Sequence, residues 1–400
     1  MQQLAVVPQL RRRRRSEIAP PSLRDQFALV VEDAALELVD PALIEGLAED
    51  MRLIERQRVH HVGLIVGSLI PSSMQRSTDT EGRWLDAQRT YEDLGGAESG
   101  KTSFRNQIHK MVPAMRELLQ RRLAAFAAAA DRPELRERLR AFADVIIPDG
   151  CAFKVASALC NLYTGTGQPA ELKLHAVYSV RAGGVTSAAT TAGSVHDNDG
   201  FWPSKWEPDA LYIWDLGYND YSRVIDATLA GAHVLQRLKA GANPVVLASY
   251  GESGNRRDLV QDDGRPMRLE QACAFGFVHL QRLLDLDVKL VADDDDARTA
   301  TVRVVCVPFG GEDRYYLTTL PRAIFTAHDV AELYRIRWEV ELFFRAWKGA
   351  LRLDEVRRLS HPLSLEAAVT ASLLAGTLTQ NLTVAINELE RLAAAEASSP

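Results

Sequence analysis

From residue 144 to residue 320 the chain carries one short extended segment after another, and on both sides of that stretch the apolar residues recur with helical spacing. No other feature constrains the fold as much. Strands in this number must pair into a sheet, and the helices around them must bury apolar stripes, so an α/β architecture follows. "DVIIPDGCAFKVA" reads as a strand with a kink at Pro148-Asp149-Gly150. "ELKLHAVYSV" and "VTSAATTAG" alternate as strands, and "ALYIWDLGY" is an apolar strand ending in an acid and a glycine. "NDYSRVIDATLAGA" reads as a helix and "HVLQRLK" as a further strand. Residues 241–320 are β-rich, including a hairpin whose acidic run Asp293–Asp296 is expected to be a solvated turn.

The flanks divide the rest. Residues 1–40 read as a tail, with the run Arg11–Arg15 as a solvated arm, and 41–143 as a helical domain opened by Asp40-Pro41. "GKTSFRNQIHKMVPAMRELLQRRLAAFAAAA" is expected to be helical but interrupted at Pro113. Its Lys, Arg, Asn and Gln suit contacts to phosphates and bases. "FTAHDVAELYRIRWEVELFFRAWKGAL" is expected to form one long helix starting near Thr326 or Asp329, and a helical tail closes the chain.

Composition narrows the function classes. The net charge of -6 speaks against an overall nucleic-acid-binding surface. Residues 51–140, however, hold 16 Lys+Arg against 11 Asp+Glu, a local balance of 16 − 11 = +5. Overall acidity does not prevent a local phosphate-binding face. Cys151, Cys160, Cys273 and Cys306 are scattered without a CxxC pair, which fits a reducing compartment and argues against a disulfide framework or a zinc ribbon. The basic start lacks the apolar run of a signal peptide, and no apolar run is long enough for a membrane span, so a cytoplasmic protein is expected.

On a wheel of about 100° per residue, Tyr334, Arg337, Glu341 and Lys348 fall within an arc of roughly 60°, with Arg345 beside them. Ile336, Val340, Phe343, Phe344, Trp347 and Leu351 take the opposite side. A solvated face with a Glu341–Arg345 pair would explain the stripe by itself. Two further acids, Asp149 and Asp215, stand at strand ends. Carboxylates at the ends of central strands, joined by one from a helix, can bind a pair of hard cations such as Mg²⁺ for phosphoryl transfer. Asp144 is a rival first ligand. His196 and Asp197 either reach the same site or cap a loop, Trp214 belongs to the core, and Arg237 faces phosphate or solvent.

Tyr334-x2-Arg337-x3-Glu341-x6-Lys348 resembles the YREK signature of bacterial insertion-sequence DDE transposases. "WDLGYNDY" resembles the segment around that family's second aspartate, "IIPDG" the first, and Lys173–His175 and Val195–Asp197 its flanking features. The resemblance covers roughly residues 140 to 360. It implies a ribonuclease H-like mixed sheet with flanking helices, divided as 144–240, a β-rich insertion at 241–320, and 321–360 with the glutamate helix. A helical DNA-binding domain at 41–143 would precede it and a helical segment at 361–400 follow. It implies Asp149, Asp215 and Glu341 as catalytic metal ligands for Mg²⁺, with Mn²⁺ as a substitute. Tyr334, Arg337, Lys348, Arg345 and Arg237 are then expected on DNA. The implied partners are double-stranded DNA, as terminal inverted repeats and target, and a second copy of the chain on that DNA. Members with such an insertion often pass through a DNA hairpin. An inactive DNA-binding relic and a metal-dependent nuclease without strand transfer are the alternatives.

Overall fold

A computed structural model describes residues 40–53, 61–74, 80–128, 139–200, 205–239, 241–251, 254–280, 283–292, 298–309, 312–350 and 353–397. The expected arm Arg11–Arg15 and the acidic turn Asp293–Asp296 lie outside them. The chain divides into two compact units. One comprises Met1–Phe126, Phe153–Glu171 and Ala346–Pro400, the other Ala127–Ala152 and Leu172–Arg345.

The helices among the described residues are α1 (Pro41–Asp50), α2 (Val62–Met74), α3 (Thr80–Asp93), α4 (Lys101–Ala128), the single turn α5 (Asp197–Gly200), α6 (Tyr221–Leu229), α7 (Leu269–Leu280), α8 (Ala327–Tyr334), α9 (Arg337–Ala350) and α10 (Pro362–Ala397). The strands are β1 (Val145–Lys154), β2 (Glu171–Ser179), β3 (Gly184–Ala192), β4 (Leu211–Trp214), β5 (His233–Arg237), β6 (Val245–Tyr250), β7 (Arg256–Arg257), β8 (Leu284–Val291), β9 (Thr299–Phe309) and β10 (Glu312–Thr318).

The first unit is helical. Asp40 caps α1 by accepting from the Leu43 amide at 3.4 Å, ahead of Pro41 in the first turn. Nearly every residue of α2 is buried, so it runs through the middle of this unit's core. The expected interruption at Pro113 does not occur: α4 continues through it. The ring stands on the exposed side, where water can satisfy the carbonyl it leaves unbonded, while Phe104, Ile108, Met111, Met115 and Leu118 bury the other side. Glu366 at the start of α10 binds both Tyr163 Oη, at 2.9 Å, and Arg116 of α4, at 2.9 Å.

The second unit is built on a ten-stranded sheet among the described residues, in the order β3-β2-β1-β4-β5-β10-β9-β8-β6-β7. β1, β4 and β5 run parallel, with Val145 opposite Leu211 and Leu211 opposite His233. β2 and β3 form an antiparallel hairpin. This five-stranded part has the ribonuclease H-like arrangement. The β-rich segment continues the same sheet, because β10 pairs antiparallel with β5. It also contains α7, a helix that the strand-dense reading did not foresee. The kink expected at Pro148 is absent: β1 is one strand from Val145 to Lys154. Its pairing with β4 covers Val145 and Ile146 and stops before Pro148, so the missing N–H interrupts no bond there.

The expected single long helix is two. Thr326 and Asp329 form a capping box at the start of α8. At its end the Arg335 and Ile336 amides bond to the Glu332 and Leu333 carbonyls, and the Trp338 amide bonds to the Arg335 carbonyl. These tightened bonds turn the chain before α9 begins at Arg337.

Candidate active site

Each acid is delivered by a different element. Asp149 sits midway along β1, where its Oδ1 accepts from the Gly150 amide at 2.8 Å. Asp215 follows β4 directly, at the start of the one-turn 3₁₀ helix Leu216–Tyr218, and the Tyr218 amide bonds back to its carbonyl at 3.0 Å. Glu341 is in the second turn of α9. Tyr212 and Trp214 of β4 are fully buried, so the strand before Asp215 is anchored in the core. Trp214 Nε1 donates to Gln236 Oε1, and Gln236 Nε2 donates to Asn219 Oδ1 at 2.9 Å, which braces the loop after Asp215.

Arg337 joins the acids. Its Nη2 is 2.6 Å from Glu341 Oε1 and its Nη1 is 3.8 Å from Asp215 Oδ2. Tyr334 Oη donates to Asp215 Oδ1 at 3.3 Å, and the guanidinium lies 5.7 Å from the Tyr334 ring centre. Burial works against the Arg337 charge, but Tyr334, Asp215 and Glu341 outweigh it and hold its pKa above the ordinary value. Burial, and then the Asp215 charge, push the Tyr334 phenol up, so it stays a donor. Asp149 is raised to about 6, chiefly by burial. The Gly150 amide and Arg337 pull it down, while Glu341 and Asp215 push it up. Asp149 therefore feels the charges of both other acids, although the three are 66 and 126 residues apart in the chain (215 − 149 and 341 − 215).

The transposase DDE domain model matches residues 142–375, which takes in all three acids. The chain belongs to the DDE transposase family. It is 22% identical over 373 residues to the transposase for insertion sequence element IS231F of Bacillus thuringiensis subsp. israelensis, covering 84% of this chain and 76% of that one. It is 39% identical over 148 residues to the putative transposase InsL for IS186A of Escherichia coli strain K12, covering 37% of each. The transposase for IS231B of Bacillus thuringiensis subsp. berliner is 20% identical over 391 residues, covering 88% of this chain and 79% of that one.

Within this DDE family member the other expected residues fall out unevenly. The partner of Glu341 among the described residues is Arg337, one turn before it, rather than Arg345, one turn after, which is exposed. The stripe is not a solvated face at its start, because Tyr334 and Arg337 are buried, Arg337 being 9% exposed. Trp338 and Leu342 are the exposed large apolar residues there. The side chain of Lys348 lies outside the described residues. Arg237 ends β5 opposite Tyr316, and its charge reaches the Tyr334 phenol. Asp144 is a structural residue: it is buried and accepts from the Val145 amide at 2.6 Å, Ser179 Oγ at 2.5 Å and the Arg181 amide at 3.0 Å. Those bonds occupy both of its oxygens. His196, not Asp197, caps the turn at α5, its Nδ1 accepting from the Asn198 amide at 3.3 Å. Trp214 is core, as expected. None of the four cysteines is joined in a disulfide, and no helix among the described residues is long and apolar enough to cross a membrane.

Membership in the DDE family implies dependence on a divalent metal. Among the described residues no three His, Cys, Asp or Glu side chains stand close enough to hold one ion, and Glu341 is paired with Arg337. The donor chemistry fits all the same. All three side chains offer hard carboxylate oxygens, and at Asp149 the Glu341 and Asp215 charges push the carboxyl up against the pull of Arg337 and the Gly150 amide. Sequence reasoning missed the bracing role of Gln236 and Asn219, which become adjacent only after β4 and β5 pair.

Proposed function

We propose that this chain cuts DNA at the ends of an insertion sequence and joins the freed 3′ hydroxyls to target DNA in the cytoplasm, as a member of the YREK class. Asp149, Asp215 and Glu341 would hold Mg²⁺, with Mn²⁺ as a substitute. The observation that carries this reading is the Asp149–Asp215–Glu341 group arranged around Arg337 and Tyr334. In the first step a water oxygen attacks phosphorus, the P–O3′ bond breaks, and the 3′ oxygen leaves and takes up a proton. In the second step that 3′ hydroxyl attacks a target phosphodiester, loses its proton and displaces another 3′ oxygen. Two bound divalent ions would supply activation of the attacking oxygen and charge relief at the leaving one.

The chain's own residues do the rest. Arg337 and Tyr334 orient Asp215 and Glu341, because each oxygen they bind loses rotational freedom. Arg237 and Arg345 offer forked donors to the phosphodiester and Lys348 a point charge. The exposed Lys101, Arg105 and Lys110 of α4 suit the backbone of an inverted repeat, and the 41–143 region is the proposed end-binding domain. Two copies of the chain would pair the two ends.

The test is strand transfer with pre-cut inverted-repeat ends and a plasmid target. Joined products that disappear in Asp215→Asn support the reading. Cleavage without any joining would make the protein a nuclease, and intact binding with neither step would make it an inactive relic.

A further inference from the structure

Strand β1 just after Asp149 and the turn just after Asp215 each hold a glycine at close quarters with the same side chain. A Cβ at Gly150 would lie 2.9 Å from Asp197 Oδ1, and a Cβ at Gly217 would lie 2.7 Å from Asp197 Oδ2. One carboxylate therefore fills the space beside both backbones, an oxygen against each. Neither glycine has positive φ, so the requirement at both positions is for room rather than for conformation.

Asp197 is itself held. Lys173 of β2 pairs with its Oδ1 at 3.2 Å and donates to the Val195 carbonyl at 2.7 Å, pinning the segment at both ends. His175, two residues along the same strand, is buried and bonds Thr191 Oγ1 through Nε2 at 2.9 Å. Its ring rests against Gly200, close enough that a Cβ there would collide with it. His196 does the capping at α5, and the Asp197 carboxylate is turned toward the backbone beside Asp149 and Asp215.

We propose that Asp197 is a positioning residue that sets the spacing between Asp149 and Asp215 by standing between the Gly150 and Gly217 backbones, with Lys173 as its anchor. The inference rests on Asp149 and Asp215 being the metal ligands. Residues that orient metal ligands typically contribute about 10–100-fold to metal affinity when lost. Asp197 acts on two ligands at once, through backbone contact rather than through a bond to either.

The experiment is Mn²⁺ binding to the full-length chain, followed by the loss of the free-ion signal in electron paramagnetic resonance, with thermal unfolding measured alongside. Asp197→Ala should weaken Mn²⁺ binding by about tenfold or more while leaving the unfolding midpoint near wild type. Asp197→Asn keeps the shape and an oxygen for Lys173, so it should retain most of the affinity. Gly217→Ala should weaken binding in the wild-type background and add little to Asp197→Ala, because the obstructing carboxylate is then gone. Wild-type affinity in Asp197→Ala, or fully additive losses in the double variant, overturns the proposal. A loss in Asp197→Asn as deep as in Asp197→Ala overturns it as well, since the charge and not the placement would then matter. Asp149→Asn and Asp215→Asn separate the two levels. If they lose Mn²⁺ and Asp197→Ala does not, only the positioning role fails. If they keep Mn²⁺, the ligand reading fails and this inference with it.

Discussion

Asp149 costs the metal-free protein stability, and replacing it by its amide measures how much. The carboxyl titrates at about 6 against an ordinary 3.8, a difference of about 2 pH units, with burial as the leading cause. At about 1.4 kcal/mol per pH unit the buried charge costs about 3 kcal/mol once fully ionised. The sign follows from the proton balance. A raised pKa means the folded chain holds the proton more tightly than the unfolded chain does, so stability is lost as pH climbs from 3.8 through 6 and is flat above. The amide introduced by Asp149→Asn carries no charge at any of these pH values and keeps the shape. In chelator-containing buffer the variant should therefore match wild type near pH 4 and exceed it by up to about 3 kcal/mol at pH 8. Thermal unfolding across that range is the assay. Adding Mg²⁺ at pH 8 should stabilise wild type and leave the variant unmoved. Equal stability at pH 8, or a variant that is less stable there, would refute the account of Asp149 as a desolvated carboxylate beside two others.

Asp215→Asn and Glu341→Gln should each abolish cleavage while end binding in a mobility-shift assay persists, because an amide is a poor ligand for a hard dication yet occupies the same space. Phe344→Ala should destabilise by about 3–5 kcal/mol, since the ring is 5% exposed, whereas Arg345→Ala should change stability by no more than about 0.5 kcal/mol and weaken DNA binding. Arg105→Ala with Lys110→Ala on α4 should weaken end binding and shallow its dependence on salt by about 2 in logarithmic slope. Arg337→Lys should lower cleavage without unfolding the chain. A lysine cannot span Asp215 and Glu341 as a planar fork does.

Most strands were legible because β-branched and aromatic residues alternate in them, as in "ELKLHAVYSV" and "TVRVVCV". What misled was proline. Pro148 and Pro113 both read as interruptions, and both are accommodated where the bond they would break was not needed or could be replaced by water. The turn after Tyr334 was not legible, because Arg335 and Ile336 are ordinary helix formers and only the tertiary setting shortens their bonds. It matters for the site. Tyr334 and Arg337 still converge on Asp215, but by way of two helices rather than one wheel. The sequence favoured Asp149 over Asp144 through "IIPDG", but what Asp144 does instead was not legible. Both are acids near the same strand, and only the donors gathered around Asp144 assign it a structural task.

The pairing of β10 with β5 means the inserted segment cannot be treated as a removable module. Cutting out residues 241–320 would strip β5 of its neighbour along Leu235, Gln236 and Arg237 and leave a row of open N–H and C=O groups beside the acid cluster. The shortened protein would be an aggregation-prone sheet with a raw edge rather than a smaller enzyme. Tyr316 would leave with the segment, and with it the ring that packs 5.0 Å from Tyr334. Any engineered reduction of this chain would have to supply a new strand, or charges and a proline, along β5.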